Sequence, residues 1–138
     1  MDPAARGRIL VAEDEPPLAR VYARVLVADG FDVQTASDGA QALSWLLAGQ
    51  YDVLVSDVCM PRMTGLELLR EVRRSLPELP VVLLTGQLDA EVYGQARDLG
   101  SVRYLLKPVG MEQLARAVRS AYDLRASWLR TKTRRAAT

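Results

Sequence analysis

The stretch YDVLVSDVCMPRMTG, Tyr51–Gly65, decides the fold. Its first half is an aliphatic run of the kind that builds buried strands, yet it ends in Asp57, directly before a turn punctuated by Pro61 and Gly65. An unpaired carboxylate in a low-dielectric interior costs several kcal/mol, so a strand ending this way needs a counter-charge or a metal at its tip.

The flanking sequence repeats the pattern. RILVA, Arg8 to Ala12, is a short aliphatic strand that runs into the acidic cluster Glu13, Asp14 and Glu15. Pro16 and Pro17 suit a first helical turn, after which Leu18, Val21, Tyr22, Val25 and Leu26 recur at helical spacing until Gly30. FDVQTA, Phe31 to Ala36, alternates as a strand, and Ser37 or Asp38 can cap a helix carrying Ala42, Leu43, Leu46 and Leu47 up to Gly49. Beyond Gly65, Leu66, Leu69, Val72 and Leu76 mark a third helix closed by Pro77 and Pro80. VVLLTG, Val81 to Gly86, is a fourth apolar run, followed by a helix with Val92, Tyr93, Ala96 and Leu99 that ends at Gly100. VRYLLKP forms the fifth strand, and Met111, Leu114, Ala115 and Val118 open the last helix.

Strict alternation of five strands with five helices predicts an α/β fold. Near-continuous aliphatic strands joined by right-handed crossovers give a doubly wound parallel sheet covered on both faces. Such sheets bind ligands at the C-terminal ends of their strands. The polar residues that interrupt the apolar runs fall at those ends: Glu13 and Asp14, Asp57, Thr85 and Lys107. Three carboxylates brought together repel unless their proton affinities rise or a hard cation neutralises them, and Mg2+ suits an all-oxygen site of this kind. Lys107 adds a fixed positive charge and Thr85 a hydroxyl donor, the groups a phosphoryl oxygen array requires. Asp57 can then act as a nucleophile that takes up a phosphoryl group.

Composition narrows the alternatives. The 138 residues, 49% of them hydrophobic and 25% charged, fit one globular domain. A net charge of +1 gives no global argument for nucleic acid, membrane or acidic substrates. No apolar run approaches the ~20 residues of a membrane span and MDPAARGR lacks a secretory core, so the expected location is cytoplasmic. The single cysteine, Cys59, excludes an internal disulfide framework, and the absence of histidine removes the commonest general base and metal ligand. Cys59 itself has two readings, a redox thiol beside the strand ends or a side chain that fills the loop.

LVAEDE, VLVSDVCMPRMTGLELL, VVLLTG and GSVRYLLKP, in that order, resemble the receiver domain of two-component response regulators over about Ile9 to Val118. The resemblance implies a flavodoxin-like (βα)5 sheet of strand order 2-1-3-4-5. It implies Asp57 as phosphoacceptor and Mg2+, with Mn2+ as a substitute, held by Asp14, Asp57, Glu13 through water, and the Cys59 backbone carbonyl. Thr85 and Lys107 would contact the phosphoryl group, and Tyr104 would be the aromatic that turns inward when Thr85 moves toward it. The Lys107–Pro108 bond would be cis. The implied partner is a histidine kinase or phosphotransfer protein. A homodimer through helix four, strand five and helix five is a further implication, with Arg97, Arg103, Glu112, Arg116 and Arg119 available for cross-pairs.

Three kinds of departure from the family pattern fall at four positions: Glu13 for the usual Asp, Gly86 for the usual Ala, and non-acidic Cys59 and Gln87 where the family tunes dephosphorylation. No strong built-in hydrolytic base is therefore expected. The expected organisation is an N-terminal extension over 1–7, the receiver over 8–123, and a basic tail or linker helix over 124–138. That last segment holds Arg125, Arg130, Lys132, Arg134 and Arg135. A linker into an effector beyond residue 138 is favoured over a nucleic-acid arm, because no DNA-reading pattern is present. The competing enzyme reading, an aspartate-nucleophile phosphatase of haloacid-dehalogenase type, wants a second Asp where Cys59 stands. A flavin mononucleotide binder wants a phosphate loop where EDEPP stands, and a scaffold receiver wants loss of a site that is complete here.

Overall fold

The computed structural model describes residues 5–101 and 103–137, with side chains as far as Arg134. Residues 1–4 of the expected extension, Val102 of the fifth apolar run, the Arg135 side chain and residue 138 lie outside the described residues. Five strands alternate with five helices: β1 (Arg8–Ala12), α1 (Pro16–Ala28), β2 (Asp32–Ala36), α2 (Gly39–Ala48), β3 (Val53–Asp57), α3 (Gly65–Ser75), β4 (Val81–Thr85), α4 (Ala90–Asp98), β5 (Arg103–Leu106) and α5 (Met111–Ala137). All strand pairs are parallel, in the order β2-β1-β3-β4-β5.

Local chemistry sets the element ends. Pro16 and Pro17 occupy the first turn of α1, where an N–H has no helical partner to lose. Asp38 accepts from the Gln41 N–H at the start of α2, Thr64 and Glu67 form a reciprocal capping box on α3, and Asp89 accepts from Glu91 and Val92 on α4. The Phe31 N–H goes back to the Leu26 carbonyl at the end of α1, so β2 begins one residue later, at Asp32.

Alternation along the strands splits the interior in two. Leu10, Leu54, Val81 and Leu83 face α2, α3 and α4, where they meet Leu46, Leu68, Leu69, Val72 and Ala96. Ile9, Val11, Val53, Val55, Val82 and Leu84 face α1 and α5, meeting Leu26, Leu114 and Val118. Every residue of β3 and β4 is buried, whereas the edge strands β2 and β5 are partly exposed. Apolar pressure from both faces thus leaves only the strand ends for polar chemistry.

α5 runs without a break across the expected boundary at residue 123. Its extension is tied to the base of the sheet by Arg125 to Asp52 at 3.5 Å and Lys132 to Glu78 at 2.6 Å. Among the described residues, no helix is long and apolar enough to cross a membrane.

Candidate functional site

Register brings the strand-end residues together. Ala12 pairs with Ser56, so Glu13 and Asp57 follow side by side; Asp57 pairs with Leu84 and Thr85 with Leu106, which places Lys107 one step beyond. Carboxylate oxygens of Glu13, Asp14 and Asp57 all lie within 4.8 Å of one another. Glu13 and Asp57 are buried and Asp14 is exposed, so the cluster has a closed floor and an open rim. The Lys107 ammonium donates to Asp57 Oδ2 at 2.7 Å and to Glu13 Oε1 at 2.8 Å. That ammonium is the compensation the buried Asp57 carboxylate needs.

Burial is the largest influence on Glu13, and with repulsion from Asp57 it outweighs the hydrogen bonds from Lys107 and the Glu15 N–H, raising its pKa to about 7. Burial works against the charge on Lys107, but its bonds to Asp57 and Glu13 win, so its proton is held more tightly than an ordinary lysine's. The donor set is entirely oxygen and carries more negative charge than one ammonium cancels. These residues can hold a hard divalent cation.

The backbone around Asp57 is fixed by close packing. The Cys59 N–H donates to Asp57 Oδ1 at 3.2 Å, and the Gly65 N–H donates to the Val58 carbonyl at 2.8 Å. A Cβ on Gly65 would stand 2.2 Å from the Asp57 carbonyl oxygen, so no larger residue fits there.

Comparison with known proteins places this arrangement. The family description "response regulator receiver domain" matches residues 9–119. The chain belongs to the response regulator receiver domain family. Among curated relatives, the transcriptional regulatory protein DltR of Streptococcus agalactiae is 33% identical over 112 residues, 81% of this chain and 50% of that protein. The response regulator MprA of Mycobacterium avium is 35% identical over 113 residues, 82% of this chain and 50% of that protein. The chain spans about half the length of these relatives. A receiver domain from Clostridium thermocellum superposes with a TM-score of 0.82 at 32% identity, covering 88% of this chain and 98% of that one. NtrX from Brucella abortus superposes with a TM-score of 0.84 at 26% identity, covering 91% of this chain but 29% of that one.

In this receiver domain Glu13, Asp14, Asp57 and Lys107 form one cluster, whereas Thr85 is turned aside. The Thr85 hydroxyl donates to the Gln87 carbonyl at 2.9 Å and accepts from the Gln87 N–H at 3.2 Å. Gln87 therefore engages the site through its backbone. Space for a Cβ exists at Gly86, with nothing within 4 Å, so glycine there is not a packing requirement. The Tyr104 ring packs edge-on against Tyr93 of α4, with centroids 5.3 Å apart. Its hydroxyl is buried and has no hydrogen-bond partner among the described residues. Cys59 exposes its side chain, and the one basic residue near it in sequence, Arg62, is engaged by Asp38 at 2.9 Å.

Of the charges on the α4, β5 and α5 face, Arg119 is already bound to Asp29 and Glu112, Arg116 to Glu112, and Arg97 to Asp98. Sequence reading of the receiver missed two polar anchors. Asp38 is more than a helix cap, because its second carboxylate oxygen holds Arg62 from the β3–α3 loop. Arg73 donates to the carbonyls of Leu99, Leu79 and Gly100, joining α3 to the α4–β5 turn. Nothing in a single sequence distinguishes that arginine from the solvated arginines around it.

Proposed function

We propose that Asp57 accepts a phosphoryl group from a phosphohistidine on a histidine kinase or phosphotransfer protein. A carboxylate oxygen of Asp57 attacks phosphorus, the phosphorus–nitrogen bond breaks, and its electron pair returns to the imidazole of the donor. The observation that carries this reading is the convergence of three carboxylates within 4.8 Å with an ammonium 2.7 Å from Asp57. A general-purpose hydrolase would need a proton donor beside the nucleophile, and the place two residues on holds Cys59.

Glu13, Asp14 and Asp57, with the Cys59 carbonyl, are the residues that would hold Mg2+, or Mn2+ in its place. A bound divalent ion supplies neutralisation of the phosphoryl oxygens as charge develops. Lys107 holds its proton throughout, orients the Asp57 carboxylate before reaction and pairs with a phosphoryl oxygen afterwards. Thr85 gives up its bonds to Gln87 to meet the phosphoryl group, and Tyr104 on β5 responds to that movement. The face formed by α4, β5 and α5 then presents a changed surface to an effector or to a second copy.

DltR and MprA are named as a transcriptional regulator and a response regulator, each about twice the matched length, which favours an input module within a longer cytoplasmic regulator. Phosphoryl loss is slow in this reading, since neither Cys59 nor Gln87 offers an acid or base. Incubation with Mg2+ and acetyl phosphate, followed by intact-mass measurement, tests the assignment. One phosphoryl adduct is expected on the wild type and none on Asp57→Asn. An unmodified wild type, or an adduct that survives the substitution, overturns it.

A further inference from the structure

The β3–α3 loop, residues 58–64, carries the phosphoacceptor's neighbours and contains one backbone oddity. Arg62 has φ 66, in the left-handed region that side chains other than glycine, asparagine and aspartate seldom enter. If the turn needed only that conformation, glycine or asparagine would supply it more easily. Arginine is present instead, and its side chain has a use. The Arg62 Nε donates to Asp38 Oδ2 at 2.9 Å.

Asp38 is an unusual surface partner. Its carboxylate is buried although the Arg62 side chain is 69% exposed. Its other oxygen accepts the Gln41 N–H at 2.8 Å, so the same carboxylate begins α2 and grips the loop. Those two bonds hold its pKa below the usual aspartate value, the Gln41 N–H first and Arg62 second. Immediately beside it, α2 and the loop are in hard contact: a Cβ on Gly39 would stand 2.4 Å from the Met63 carbonyl oxygen. Among the described residues, Arg62 is the only side chain of this loop that hydrogen-bonds to anything beyond the loop and α3. Val58 and Met60 pack into the core and the Val58 N–H reaches the Leu84 carbonyl at 2.8 Å, so the first half of the loop is anchored near β3 and β4, while in its second half the Arg62–Asp38 pair is the polar link to α2.

We propose that the Asp38–Arg62 pair is a positioning device that sets the β3–α3 loop, and through it the Cys59 amide and carbonyl, for cation binding beside Asp57. The functional part rests on the reading above, in which Cys59 contributes its carbonyl; the loop-ordering part stands without it. Neither residue touches the cation or the phosphoryl group. Both act through the backbone between Cys59 and Met63, whose Met63 N–H closes a turn onto the Pro61 carbonyl at 2.7 Å.

Two substitutions break the pair without disturbing its surroundings. Arg62→Asn tolerates the left-handed backbone, and Asp38→Asn keeps an acceptor for the Gln41 N–H. The first readout is amide hydrogen exchange of residues 59–64 in metal-free protein. Each variant should exchange about tenfold faster there than the wild type while the β4 amides stay protected. The second is Mg2+ affinity by calorimetry, expected to fall about tenfold in each single variant and no further in the double, with Arg62→Lys recovering most of the loss. Wild-type exchange and affinity in both singles, or losses that simply add in the double, overturn the proposal. Faster loop exchange in protein that never takes a phosphoryl group would sink the Asp57 assignment and leave the tether standing.

Discussion

Lys107 lies 2.7 Å from Asp57 across the mouth of the sheet, although 50 residues separate them in the chain. The same ammonium reaches Glu13, so one cation holds two buried carboxylates, one just past the end of β1 and one at the end of β3. This contact offsets part of the carboxylate charge on the acidic floor, and it sets what each charge there does to stability.

Replacing Lys107 with methionine keeps the stem and removes the charge. Breaking a buried pair by deleting one partner costs about 3–5 kcal/mol, and the 18% exposure of the Lys107 side chain lowers the expectation to about 2–4 kcal/mol. Urea denaturation in chelator should show that loss, and Mg2+ should narrow the gap between variant and wild type. Equal stability in chelator would mean that the two carboxylates do not depend on Lys107.

Glu13 makes stability pH-dependent in the direction opposite to most acids. Burial raises its pKa from 4.5 to about 7 in the folded state, so the folded protein holds this proton more tightly than the unfolded chain. The resulting stabilisation is complete below about pH 4.5 and is lost as pH rises through about 7, on the order of 3 kcal/mol for a shift of this size. Metal-free wild type should therefore lose stability between pH 5 and pH 7.5, and Glu13→Gln should flatten that slope. Protons and Mg2+ compete for the same oxygens, so Mg2+ affinity should rise over the same window. A wild-type curve that climbs through it would place the Glu13 proton elsewhere.

Gly65→Ala tests how rigidly the loop is built. The new Cβ would meet the Asp57 carbonyl oxygen at 2.2 Å, the Val58 Cα at 2.9 Å and the Asp57 carbonyl carbon at 3.0 Å. All three are backbone atoms, which cannot rotate away, so a loss of about 2–4 kcal/mol is expected by thermal or chemical unfolding. A fully stable alanine variant would require α3 to start from a different backbone path.

The strands, their parallel arrangement and the convergence of Glu13, Asp14, Asp57 and Lys107 are legible in the sequence because each rests on a local rule, whereas the strand order rests on the family resemblance. Aliphatic runs mark buried strands, and a polar residue ending such a run has nowhere to go except the shared crevice. Thr85 sits where that rule places it, but its rotamer depends on the Gln87 backbone two residues on, which no run of residue types reveals. Arg73 and Arg62 fail the rule altogether. Each is a basic residue among polar neighbours, and each takes its role from partners 26 and 24 positions away, at Leu99 and Asp38. Ion pairs and carbonyl anchors between distant elements leave no periodicity, so only the folded arrangement exposes them.

Tyr104 offers a test in which the sign of the effect decides. Its hydroxyl is buried and unpartnered among the described residues, while its ring packs edge-on against Tyr93. A buried hydroxyl without a hydrogen bond costs about 1–3 kcal/mol of desolvation, so removing it relieves a penalty and leaves the ring packing in place. Tyr104→Phe should then be more stable than wild type by about 1 kcal/mol, seen as a higher urea midpoint at unchanged slope. A tyrosine hydroxyl that was satisfied would give the opposite result, a loss of similar size. Since Tyr104 is the residue proposed to follow Thr85, a stabilised phenylalanine variant would also mean that this conformation holds the hydroxyl at a cost, which a rearranged β4–β5 surface could recover by giving it a partner.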